Sequence, residues 1–147
     1  MSLKDWSRNG WLVEHKTSPA EIGELLEITN RDLADCRVEG LSADWRLNIA
    51  YNAALQAATA AFAACGYRAS RDAHHYRVIQ SLALTVSADP SLVRKFDAFR
   101  KKRNISGYDR AGMVSDQEAT EMISLAERIG EDVNGWLESC HPEFLQA

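Results

Sequence analysis

Cysteine is scarce in the 147-residue chain, and its three residues, Cys36, Cys65 and Cys140, show no paired spacing. An odd, unclustered set excludes a disulfide scaffold and a zinc ribbon, and makes a reducing cytoplasm the expected location. Proline numbers three and glycine eight, too few for a disordered or collagen-like chain. No run approaches the roughly 18 uncharged apolar residues of a membrane span. Residues 1–30 scatter charges where a secretory signal would hold an apolar core, so no membrane association is expected. Gly-rich phosphate loops are absent, which leaves P-loop hydrolysis and dinucleotide redox chemistry without support. Neither an i,i+4 His/Glu pair nor a Cys–His spacing appears, so no metal and no cofactor are expected.

Positive charge is almost missing from the last quarter, where residues 111–147 carry one Lys/Arg against eight Asp/Glu. Residues 68–110 reverse this, with ten against four, and residues 1–67 hold six against nine. A basic middle between acidic ends either neutralises its neighbours on packing or meets an anionic ligand.

What the chain does have is helix punctuation. Ser18-Pro19-Ala20-Glu21 reads as a capping box with proline at the first helical position. A helix follows on Ile22, Leu25, Leu26, Ile28 and Leu33, ending between Cys36 and Gly40. Ser42 caps a second helix through Trp45, Ile49, Leu55 and Phe62, with Gly66 just past its end. Its many alanines favour helix and admit close neighbours, so it is expected at the centre of a bundle. A third helix is expected from Ser70 or Asp72 to Leu84, and a fourth from Asp89-Pro90 to Gly107. Ser115 to Glu118 forms a second capping box, opening a fifth helix toward Ser139 before Pro142. Strand-like alternation is nearly absent, and no internal repeat or linker is visible. The expected fold is all-α, an up-and-down bundle of about five helices in a single domain over 1–147, its core about 18–140. Trp45, Trp136, Phe62 and Phe99 are expected in that core, with Cys65 a small buried hydrophobe.

The fourth helix carries the informative pattern. Leu92, Phe96 and Phe99 step by four and three, and the next position on that face is Arg103. Arg100 flanks the same seam, Asn104 lies one turn beyond it, and Lys101 is placed to pair with Asp97. A guanidinium entering an apolar seam needs a carboxylate, carbonyls or a phosphate. Three readings follow: Arg103 binds its own helix end or an acidic residue of the fifth helix; it sits in a cleft that holds an anion; or residues 100–103 are a solvated basic face. The acidic residues Glu118, Glu121, Glu131 and Glu138 are either solvated or meet the basic helix of a second copy.

Arg103-Asn104-Ile105-Ser106-Gly107-Tyr108-Asp109, closing a basic amphipathic helix before a capped last helix, resembles the HEPN superfamily (higher eukaryotes and prokaryotes nucleotide-binding). Gly66-Tyr67-Arg68 followed by His74-His75-Tyr76 is similar to HEPN proteins of the uncharacterised bacterial sort, and the resemblance spans about residues 18–140. It implies a helical bundle that dimerises, with motif residues meeting in a composite cleft, and a toxin–antitoxin or defence setting with an antitoxin partner. Many such domains are metal-independent ribonucleases in which an arginine is followed four to six residues later by a histidine. Here Gly107 and Tyr108 stand where that histidine is expected. Tyrosine, which ordinarily titrates at about 10, is a poor base at neutral pH but still donates hydrogen bonds and stacks. The resemblance thus makes Arg103, Asn104 and Tyr108 the candidate catalytic set, and Arg100, His74, His75 and Asp109 candidate ligand-binding residues for RNA or a nucleotide. The alternatives are a non-catalytic dimeric interaction or regulatory bundle, with Arg103 as a strut, and an active ribonuclease toxin using His74, His75 or Tyr108 as surrogate base.

Overall fold

A computed structural model describes residues 1–108 and 114–145, with side chains over 1–103 and 114–145. Its elements run α1 (Leu3–Arg8), β1 (Leu12–Glu14), α2 (Pro19–Asp35), α3 (Ala43–Ala64), β2 (Tyr67–Ala69), α4 (His74–Ser81), α5 (Pro90–Tyr108), α6 (Asp116–Cys140) and a 3-10 turn, Pro142–Leu145. This is an all-α helical bundle. Among the described residues no helix is long and apolar enough to cross a membrane.

The alanine-rich α3 is the axis of the bundle. Every alanine from Ala50 to Ala64 is buried, because α3 packs against α2, α4, α5 and α6. Small side chains let those helices come close. Two polar ties fix α2 against α3: the buried Thr29 hydroxyl donates to the Ala53 carbonyl at 3.0 Å, and Asn52 donates to Asp32 at 2.7 Å. Between α2 and α6, a Cβ added at Gly130 would meet Thr29 Cγ2 at 3.6 Å. The helix α6 buries Met122, Ala126, Ile129, Val133 and Leu137 at the spacing of one helical face.

The expected caps form, with one change. Ser42 accepts from the Trp45 amide, and Ser115 and Glu118 complete a reciprocal capping box. At α2, Ser18 accepts from the Glu21 amide, but the Glu21 carboxylate accepts from Thr17 and meets His15, each at 2.7 Å, so that capping box is only half made.

Five other readings are refined by the structure. The described residues hold six helices rather than about five, since Ser2 and Asp5 form a capping box on the short α1. A two-stranded antiparallel sheet pairs Leu12 with Ala69, Val13 with Arg68 and Glu14 with Tyr67. The third expected helix shortens to α4, because Ala73 takes a left-handed conformation (φ 53°) immediately before it. Trp45 is not core but 62% exposed, on the first turn of α3, and Trp136 and Cys65 are only half buried. The helix α5 also runs through Gly107 to Tyr108.

Candidate functional site

Three elements converge on Tyr51. From α5, Leu92, Phe96 and Phe99 are buried and Arg103 continues their face half-buried, as the spacing predicts. From α3, Asn48 and Tyr51 lie three residues apart and share a face. From α4, the left-handed Ala73 turns the chain so that His74 and His75 open the helix.

The Tyr51 ring is buried edge-on against Phe96, with centroids 5.5 Å apart. The Arg103 guanidinium carbon lies 5.0 Å from the Tyr51 ring centroid, and Arg103 Nε donates to Asn48 Oδ1 at 3.0 Å. Asn48 Nδ2 donates to the Asp44 carbonyl at 2.9 Å, which orients the amide oxygen toward the arginine. The Tyr51 hydroxyl meets His75 Nδ1 at 3.2 Å. Cation–π and hydrogen-bond contacts together thus hold a guanidinium over an apolar floor.

Arg100, Lys101 and Lys102 each have an acidic partner. Arg100 Nε donates to Asp97 at 2.7 Å, Lys101 meets the other oxygen of Asp97 at 3.7 Å, and Lys102 pairs with Glu118 of α6 at 3.4 Å. Arg100 also lies 5.5 Å from the Tyr76 ring. An open cleft of about 430 Å³ is lined by Ala73, His74, His75, Tyr76 and Arg100.

Burial dominates the acid–base behaviour here. It pushes the Tyr51 hydroxyl up to about 12, against the opposing pull of Arg103 and Arg100. It also pulls the His75 pKa below its ordinary value of 6.5, and the nearby Arg103, His74 and Arg100 act in the same direction. His75 is therefore neutral at pH 7, beside two guanidiniums.

That shift fixes a pH dependence. The folded pKa of His75 lies below its unfolded value, so the unfolded chain takes up a proton first as pH falls. Stability from this residue is complete above about pH 6.5 and is lost as pH drops through the folded pKa. Urea unfolding at successive pH values between 7.5 and 5 should show a falling midpoint in the wild type and a flatter profile in His75→Asn. Parallel profiles would show that His75 is not the titrating group.

Of the residues singled out in the sequence, Arg100, Arg103, His74 and His75 come to the same end of the bundle. Asn104 and Tyr108 belong to α5, but their side chains lie outside the described residues, and Asp109 lies outside them altogether. No protein-family model, curated protein or solved structure matches this chain. The site's chemistry therefore rests on its geometry. Sequence reasoning missed Asn48 and Tyr51, which the structure brings to Arg103 from α3. Tyr76, read in the sequence only as part of the His74-His75-Tyr76 pattern, also lines the cleft. Among the described residues, no three His, Cys, Asp or Glu side chains gather to hold a metal ion.

Proposed function

We propose that this chain is a HEPN-like helical domain that binds a phosphate-bearing ligand, RNA or a nucleotide, at the Arg100/Arg103 cleft. It works as a homodimer in a toxin–antitoxin or defence setting, with an antitoxin as partner. The observation that carries this reading is the half-buried Arg103 over Tyr51, with Arg100 one turn away and a neutral His75 held against the Tyr51 hydroxyl. Two guanidiniums on one face are suited to phosphate oxygens, and the flanking Tyr76 and histidine rings supply surfaces on which a base stacks. The cytoplasm is the compartment where such ligands are met.

The test is fluorescence anisotropy with a labelled single-stranded RNA across a salt series. Each phosphate neutralised contributes a slope of about −0.7 in log K against log salt. Arg103→Ala should weaken binding about tenfold or more at low salt and reduce the slope by about that amount, while keeping its far-ultraviolet circular dichroism. Salt-insensitive or absent binding by the wild type sinks the proposal. If Arg103→Ala instead lowers the melting temperature or the dimer affinity with RNA binding unchanged, Arg103 is a strut between α5 and α3.

A second reading has its own observation. His75 is a neutral imidazole at pH 7 and stands beside the arginines, so it is placed to act as the base that Gly107 and Tyr108 do not supply. On that reading the protein is a metal-independent ribonuclease.

A further inference from the structure

A second cavity lies between the small sheet, α2, α3 and α4. It has a volume of about 270 Å³. Its walls are apolar: Leu25 from α2, Phe62 and Ala63 from α3, Ala69 from β2 and Val78 from α4. A dry cavity of about 150 Å³ already accommodates a benzene ring, so this space admits one ring or a branched chain with a polar head.

Some of the polar groups around it are engaged within the chain. Glu21 accepts from Thr17 and meets His15, each at 2.7 Å, and its pKa is lowered chiefly by the Thr17 hydrogen bond. Thr59 is engaged by its own helix, its hydroxyl donating to the Leu55 carbonyl at 2.7 Å. Others are not: among the described residues, no hydrogen bond or ion pair reaches the Arg68 guanidinium, the Tyr67 hydroxyl or the His74 ring. The guanidinium only donates and carries a positive charge, while the hydroxyl and the imidazole can each donate or accept. An apolar chamber bordered by a guanidinium without an ion-pair partner is complementary to an apolar body with an anionic acceptor.

We propose that this cavity is a binding site for a small aromatic or branched-chain carboxylate, its apolar body against Phe62, Leu25 and Val78 and its carboxylate toward Arg68, Tyr67 and His74. This site is separate from the Arg103 cleft, and its test uses no nucleic acid. His74 lines both spaces, so a carboxylate bound here touches the residue next to His75.

The probes are benzoate, benzyl alcohol and benzylamine, of matched size and differing in charge, titrated into the full ¹⁵N-labelled chain. Benzoate has about nine heavy atoms, so saturable binding in the millimolar range or tighter is expected. Its shifts should centre on Phe62, Ala63, Tyr67, Arg68 and Val78, with benzyl alcohol weaker and benzylamine weakest. Ala63→Met fills the chamber and should abolish binding. Thr59→Leu, on the half-exposed side of α3, serves the same purpose should Ala63→Met fail to fold. Arg68→Gln should lower benzoate affinity about tenfold and leave benzyl alcohol unchanged. Non-saturating shifts, benzylamine binding as tightly as benzoate, or benzoate binding that survives the filling variants would overturn the proposal.

Discussion

Phe96→Ala is expected to cost about 3–5 kcal/mol of folding stability, the largest structural effect of any substitution in the cationic site. Phe96 is fully buried where α5 meets α3, edge-on to Tyr51. Truncation removes the ring's burial, leaves a cavity between two helices that cannot close over it, and deletes an aromatic pair worth about 0.5–1.5 kcal/mol. Against a typical domain stability of about 5–15 kcal/mol, a large share of the fold is lost. Urea unfolding at pH 7.5 measures it directly. Phe96→Leu, which retains most of the volume, should cost clearly less than the alanine variant. The consequence for the site follows from the same contact: Phe96 supports the ring on which Arg103 rests, so the arginine's placement depends on an apolar residue that touches no ligand. If Phe96→Ala unfolds at nearly the wild-type urea concentration, α5 is not anchored through this residue, and the placement of Arg103 needs another support.

The α-helical fold and the Arg103 seam were readable because both are periodic or punctuated signals. A step of four and three from Leu92 to Phe99 extrapolates to Arg103 without any knowledge of neighbouring helices, and Ser42, Ser115 and Glu118 mark helix starts through strictly local hydrogen bonds. Features set by tertiary context were not readable. A three-residue strand carries too little alternation to recognise, and β1 and β2 exist because Leu12 and Ala69 meet across more than fifty residues. Trp45 follows the helical spacing of a core residue, yet it is 62% exposed on the first turn of α3. Glu21 has the spacing of a capping-box residue, yet Thr17 and His15 compete successfully for its carboxylate.

The site shows the same division. Arg100 and Arg103 announced themselves by an arginine entering an apolar stripe, and the adjacent histidines by their proximity to a basic segment. That His75 rather than His74 faces Arg103 was invisible, because it depends on the left-handed turn at Ala73 and on the hydroxyl of Tyr51 from another helix. Tyr51 itself was hidden by its surroundings: within a helix of alanines and leucines, an aromatic residue reads as core. It is core by burial, but its hydroxyl edge reaches the site, and no periodicity argument separates those two roles.

On the ribonuclease reading, His75→Ala is expected to reduce RNA cleavage by about 10²–10⁴-fold, the range for loss of a positioned general base. The reading requires the tautomer in which Nδ1–H donates to the Tyr51 oxygen, 3.2 Å away, which leaves the Nε2 lone pair to take a proton. The proton comes from a ribose 2′-hydroxyl, whose oxygen attacks phosphorus as the bond to the 5′-oxygen breaks. The leaving oxygen is protonated from solvent, and a 2′,3′-cyclic phosphate forms. Arg103 and Arg100 face the charge that develops on the phosphoryl oxygens. Because His75 titrates below its ordinary value, cleavage should rise with pH through that lowered pKa and level off by about pH 7. Tyr51→Phe removes the hydroxyl that orients the imidazole, so its cleavage should fall less than in His75→Ala. Purified wild type incubated with RNA in chelator, alongside both variants, decides the matter. His74→Ala separates the adjacent histidines and should retain most of the rate. Intact RNA in the wild-type reaction, or cleavage that survives His75→Ala, removes the ribonuclease reading. The proposal of phosphate binding at Arg103 stands apart from that outcome, because an arginine's attraction for an anion does not depend on the imidazole taking a proton.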